Sequence, residues 1–309
     1  MANNFGATMT DNVMTNVAFG ILMFGIDPAE ATATVTGGSI SKVWRGIVIY
    51  PGPQPGGYTI DGTTITEAKE FGIVSFRFDG AAFSQPQLGD GSQPVTTTIQ
   101  NVTVTETESP SGVGDAAGIA TNAFNTGGGQ YTTTITNSTI RDNYLRGVNV
   151  RGADDQTVTV TVNASVIEGN GHNPSSAANA NGVIAQRGGE LIVNNSVISN
   201  ASVSQSAADA DAVSSKSESP GAGRFNGFVT VNNSQILAPV GQSVVYVDPG
   251  SGGDPGRMNV SGNWHGSADP ATFTAGFGGP RAADIDYSPF LLSGTDTEGT
   301  TAGFQGDFS

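Results

Sequence analysis

One short phrase recurs along this chain with a fixed internal register. It consists of a Thr, an apolar residue, a turn pair rich in Asn or Gly, a small residue and a second apolar residue. Mid-chain it reads Thr134-Ile135-Thr136-Asn137-Ser138-Thr139-Ile140. The closing apolar positions are Met14, Ile40, Ile65, Val104, Ile140, Ile167, Ile198 and Ile236, spaced by 26, 25, 39, 36, 27, 31 and 38 residues. Five residues before each stands another apolar side chain: Met9, Val35, Ile60, Ile99, Ile135, Val162, Val193 and Val231. A second phrase, usually Gly and then a β-branched residue, follows each first one. It supplies Ile21, Ile47, Ile73, Ile119, Val148, Val183, Val213 and Val245.

Each unit therefore holds three short segments of period two, separated by turns, with no helical periodicity. A unit of that size cannot enclose a core alone. Stacking units at ~4.8 Å pairs their backbones and aligns the Ile and Val columns inside. The expectation is an all-β fold, a single-stranded right-handed parallel β-helix (solenoid) with three short strands per coil. Residues 1–265 make about nine coils, and 266–309 form a C-terminal capping segment. Turn pairs such as Gly37-Gly38, Asp61-Gly62, Asn194-Asn195 and Asn232-Asn233 suit left-handed corners and amide ladders. Asn137-Ser138-Thr139 matches a glycosylation sequon, but the same residues are explained by turn chemistry.

Composition narrows the function. Apolar residues reach only 37%, and 44 glycines restore the non-polar share, so the core is thin and built from many turns. A net charge of −15 with 12 Lys+Arg disfavours nucleic acid and anionic membranes as partners. The absence of Cys excludes disulfides, thiol catalysis and Cys-ligated metal. No apolar run is long enough for a membrane-spanning helix. Met1–Asn4 has neither a charged nor an apolar leader region, and the repeat is already running at Met9. The expectation is a segment of a longer exported parent, extracellular or at the cell surface, whose signal has been removed.

The order strand, Asn turn, strand, variable loop, Gly-Ile/Val strand resembles the pectin-lyase-like superfamily of right-handed parallel β-helices, over about residues 5–265. The ending is also similar to the closing segment of secreted β-helix repeat proteins. It comprises Asn263-Trp264-His265-Gly266 and, later, Asp286-Tyr287-Ser288-Pro289-Phe290-Leu291. His265 and Phe290 stand where those proteins carry Trp. The resemblance implies a fold that hosts lyases, hydrolases, adhesins and inert stalks. In its enzymes the strand after the Gly forms the substrate groove, flanked by the preceding loops.

If the β-branched residue after Gly points inward, residues one and three places later point outward. This predicts an exposed aromatic column of Phe24, Tyr50 and Phe76, with Trp44 in the adjoining turn. Such rings can stack on sugar faces or be covered by chain. The later coils predict a polar half of Asn122, Asn149, Arg151, Gln186 and Lys216. A polysaccharide lyase needs a base and an anion stabiliser. The resemblance makes Arg151 or Lys216 the candidate base, with Asn122, Asn149 and Gln186 binding substrate and calcium held by acids. Glu67, Glu106 and Asp142 occupy equivalent places on stacked coils, near Glu168 and His172, and are the candidate calcium ligands. Solvated acids on an acidic protein explain them equally well. A glycoside hydrolase needs two facing carboxylates. The groove positions include only Asp248, and Asp154-Asp155 lies in a turn. Thr columns (Thr8, Thr34, Thr59, Thr98, Thr134, Thr161, Thr230) resemble the surface of β-solenoid ice-binding proteins.

The leading expectation is a non-catalytic, adhesin-like or stalk-like segment. It contacts a polysaccharide, a cell-surface glycan or neighbouring chains, including self-association through the open N-terminal coil. The alternatives are a lyase acting on an acidic polysaccharide and an ice-binding surface.

Overall fold

A computed structural model describes residues 6–24, 31–51, 55–78, 93–108, 116–124, 129–152, 158–171, 180–200, 210–217, 226–237, 243–247 and 258–307. Short period-two segments cannot satisfy their backbone groups alone, so each pairs with its counterpart in the next repeat. The result is three parallel sheets of nine, eight and nine strands, visited in turn by every coil. The fold is a right-handed parallel β-helix. The fifth coil shows the plan, with strands Tyr131–Thr136, Thr139–Arg141 and Arg146–Arg151.

The register is the one the repeat predicts. Ile99 pairs with Ile135, Val104 with Ile140 and Ile119 with Val148. The column from Met14 to Ile236 is unbroken. Repeats of 25 and 39 residues hold the same pairing, so the length differences are absorbed outside the three strands. Ile40, Ile65, Ile99, Ile135, Ile167 and Val193 are all buried, in one continuous core. Each such side chain contributes ~1.5–3 kcal/mol through burial.

Two corners are set by left-handed residues. The first uses Asp11, Gly37, Gly62, Asn101, Asn137, Ala164, Asn195 and Asn233, with φ between 46° and 68°. Asn, Asp and Gly tolerate this conformation, as the turn pairs predict. The amides then ladder from coil to coil. Asn137 Nδ2 donates to Asn101 Oδ1 at 2.6 Å, and Asn233 Nδ2 to Asn195 Oδ1 at 2.6 Å. The Asn137 amide is thus engaged in the corner. Behind this ladder runs a buried serine relay. The backbone N–H groups of Ser138, Ser165 and Ser196 donate to Oγ of Ser165, Ser196 and Ser234 at 3.2, 3.1 and 3.0 Å. Each of those hydroxyls donates in turn to the carbonyl two residues before it, at 2.8 Å.

The Gly of the second phrase is required by space. A Cβ on Gly147 would lie 2.5 Å from Gly182 O and 2.7 Å from Ile167 Cγ2.

At the C-terminal end the boundary expected at residue 265 falls inside the ninth coil. Met258–Asn259 pairs with Val229–Thr230, Trp264 bridges Gln235, and Phe277–Gly278 pairs with Val245–Tyr246. The last coil lacks the Gly–β-branched phrase, which is why its third strand escapes the pattern. A short helix, Pro270–Thr274, capped by Asp269 Oδ1, stands in its place. Over the end pack His265, Phe273, Phe277, Tyr287 and Phe290. His265 stacks on Phe273 at 4.8 Å, and Phe290 meets the same ring edge-on at 4.9 Å. Both departures from the resembled motif therefore serve one cluster. The tail returns along the first corner, where Phe304 N donates to Asn195 O and Gly306 N to Asn233 Oδ1. In the first coil Val13, Val17, Phe19 and Leu22 are exposed.

Ser196→Ala should cost ~1–3 kcal/mol in urea unfolding, because it leaves the buried Ser165 N–H without its acceptor. Thr103→Ser on the outer surface should change stability by under ~0.5 kcal/mol. Burial lowers the His265 imidazole to about 4 from 6.5, and its bond to Val260 O offsets this only in part. The unfolded chain thus takes up this proton first as pH falls. Stability from this group is full above pH 6.5 and drops by ~3 kcal/mol on the way down to 4. Unfolding measured across that window should show the decline, and His265→Phe should flatten it.

Candidate functional site

The third sheet carries most of the predicted site residues, and its outer face has three columns. Two were read from the sequence, one and three places after the inward β-branched residue. The third lies two places before it and runs through Arg45, Phe71, Ala117, Arg146, Asn181 and Asp211. It also faces away from the core, because the residue between (Gly46, Gly72, Gly118, Gly147, Gly182 or Ala212) itself turns to the core side and alternation slips there by one, which sequence reasoning missed.

This face is not the open groove that alternation suggested. Asn122, Asn149 and Gln186 are 2%, 1% and 2% exposed, and Lys216 is 8% exposed. Period two reports the side of the sheet on which a residue stands. It does not report whether that side meets water. Arg151 is half-buried, in register between Asn122 and Gln186. Asn149 Nδ2 donates to Asn122 Oδ1 at 2.9 Å, so these amides bind one another.

The chemically densest region is a buried network of residues from the sixth to the eighth coil. Ser214 Oγ donates to Asp211 Oδ2 at 2.7 Å, and Asn181 Nδ2 donates to Ser214 Oγ at 2.8 Å and to Asp211 Oδ2 at 3.2 Å. Lys216 Nζ lies 3.5 Å from the same Asp211 oxygen and 5.0 Å from the Tyr246 ring centroid. Asp211 is fully buried. Lys216 is thus committed to a buried carboxylate and an aromatic face, which keeps it from reaching a polymer's proton.

The apolar half is likewise packed. Tyr50 and Phe76 are half-buried and stack at 5.6 Å; Phe76 meets Phe71 edge-on at 5.7 Å. Val48, Val74, Ala117 and Ala120 complete a second apolar cluster outside the main core. The expected exposed column of Tyr50 and Phe76 is corrected accordingly. Phe24 pairs with Tyr50 through its strand, and its side chain lies outside the described residues. The Arg45 guanidinium sits 5.1 Å from the Phe76 centroid and ion-pairs with Glu70 at 2.5 Å.

Trp44 differs from the other rings. It is 39% exposed, and its Nε1 donates to the same Glu70 carboxylate at 2.9 Å. Glu70 comes from the next coil and is 7% exposed, so the ring is tethered from beneath. Beside it opens a cleft of about 500 Å³, lined chiefly by Val17, Phe19, Lys42, Val43, Trp44 and Lys69.

The acids Glu67, Glu106 and Asp142 occupy equivalent backbone positions at the second corner. Lys42, Glu67, Glu106 and Asp142 are left-handed, with φ of 53°, 53°, 57° and 55°. Lys42 Nζ approaches Glu67 at 4.0 Å. Among the described residues no three acidic or histidine side chains converge as a cation would need. His172, Asp154, Asp155 and Asp248 lie outside the described residues.

Arg45, Glu70, Asn181, Asp211 and Ser214 were not singled out from the sequence. Arg45, Asn181 and Asp211 stand on the third column, whose signal is the small residue before each inward Ile or Val; Ser214 stands on a column already followed, and for Glu70 the signal is the 25-residue step back to Arg45. No protein-family model matches this chain, and no match emerges among curated proteins or solved structures.

Lys216→Met should cost ~3–5 kcal/mol in urea unfolding by stranding the Asp211 charge. Adding Asp211→Asn should recover part of that loss, a coupling that a double-mutant cycle reads directly.

Proposed function

We propose that this chain is a non-catalytic segment of an extracellular or cell-surface β-helix of the pectin-lyase-like kind, adhesin-like or stalk-like. It contacts acidic glycans at the Trp44 cleft and neighbouring chains through the exposed apolar edge of its first coil. The observation that carries this reading is the tethered, exposed Trp44 ring at a cleft holding Lys42 and Lys69. A ring fixed by Glu70 loses little freedom when a sugar face stacks on it, so more of the contact energy appears as affinity. The two ammonium groups suit the carboxylates or sulfates of an acidic polysaccharide. Val13, Val17, Phe19 and Leu22 support the contact with neighbouring chains.

The lyase alternative needs an accessible base and an anion stabiliser at the third sheet. Burial of Lys216, Asn122 and Gln186 there speaks against it.

On a glycan array the wild type should retain acidic polysaccharides, and Trp44→Ala should lower affinity about tenfold, ~1.4 kcal/mol. Lys69→Ala should weaken binding most at low salt. Release of unsaturated, ultraviolet-absorbing products from a uronate polymer, abolished by Arg151→Ala, would overturn the non-catalytic reading.

A further inference from the structure

The outer face of the first sheet is chemically unlike the rest of this acidic molecule. Over the first six coils its strands pair without a break. One outward column reads Thr8, Thr34, Thr59, Thr98, Thr134, Thr161, and a second reads Gly6, Thr32, Gly57, Thr96, Thr132, Thr159, with Gly57 its one internal gap. A third, beside the corner, adds Thr10, Thr36 and Thr136. All of these threonines are exposed or half-buried. Among its described residues the face holds one charge in these coils, Asp61, which is engaged by Gln100 and Asn101 at its margin. The array closes at the seventh coil, where Glu190 and Ile192 replace threonine and Thr159 Oγ1 donates to Glu190.

We propose that this threonine face binds ice. The grid repeats at ~4.8 Å between coils and ~6.6 Å along a strand, and the backbone ladder fixes both spacings. Threonine is stiff at χ1, so each hydroxyl and each methyl holds a set place on the grid. Hydroxyls anchor water, and methyls limit its alternative partners. The first water layer is thereby ordered before contact, and its immobilisation cost is reduced at docking. Charged groups would impose hydration shells of their own, and this face almost lacks them. Its described residues in these coils also include no aromatic ring and no cation, the groups that would mark a sugar platform. The proposal stands apart from the glycan reading, which rests on the opposite end of the cross-section at Trp44.

Gly57 offers a gain-of-function test. A Cβ there would meet only Thr32 Cγ2 at 3.8 Å, and its backbone is not left-handed, so Gly57→Thr fills the gap in the second column. The purified chain would be assayed for thermal hysteresis and for inhibition of ice recrystallisation. The wild type should arrest ice growth, and Gly57→Thr should strengthen the effect. The Thr98→Tyr/Thr134→Tyr double variant should reduce it severalfold, while Thr64→Tyr on the second sheet leaves it unchanged. Circular dichroism checks folding, and Thr134→Ser gives a milder lesion if the double variant unfolds. No arrest by the wild type, an equal loss in Thr64→Tyr, or no gain from a folded Gly57→Thr variant would overturn the proposal. Retention on crystalline cellulose in place of ice would do the same.

Discussion

Everything in this molecule depends on parallel backbone pairing between equivalent residues of successive coils. A coil has no core of its own, and its strands of two to eight residues are too short to stand alone. Once coil pairs with coil, the chain's apolar residues fall into columns and the hydrophobic effect acts on a continuous stack. Pairing also fixes what the corners must be. The left-handed Asn, Asp and Gly residues, the amide ladder and the serine relay are all ways of turning the chain while satisfying its backbone groups.

The fold was legible because pairing leaves three periodic marks in the sequence, and insertions between them do not blur the marks. The apolar positions from Met14 to Ile236 keep their place in the phrase across spacings from 25 to 39 residues. The site was legible only in part. The register places Trp44 in the turn before the third strand and Glu67, Glu106 and Asp142 at equivalent corner positions. The burial of Lys216 and Gln186 was not readable, because alternation distinguishes the two sides of a sheet and nothing more. Glu70 escaped notice because its partners, Trp44 and Arg45, belong to the previous coil. Asp211 escaped because alternation counted back from Val213 puts it on the core side, whereas Ala212 and Val213 both face the core and turn Asp211 outward.

The three outer surfaces have different characters despite a common architecture. The third sheet buries ion pairs and a second apolar cluster, so its polar residues bind one another. Over the first six coils the described outward residues of the first sheet are chiefly exposed or half-buried threonines, with a single charge, Asp61. The corner between the second and third sheets combines one held ring with flanking ammonium groups. The held ring and its ammonium groups thus sit at a corner of the fold, while the threonine columns occupy one of its sheets.

The serine relay has a direction. The N–H of Val102 depends on Ser138, that of Ser138 on Ser165, and so on until Ser234 N donates to Asn263 Oδ1. Asn263 closes the series, since its amide turns back to the carbonyls of Val231 and Val260. Each coil thus borrows an acceptor from its successor and lends one to its predecessor. An array trimmed from its beginning loses only borrowers, whereas one cut short at the far end exposes a donor in whichever coil becomes last. In modular terms, coils of this kind are extendable at the front and need the Asn263 terminator behind.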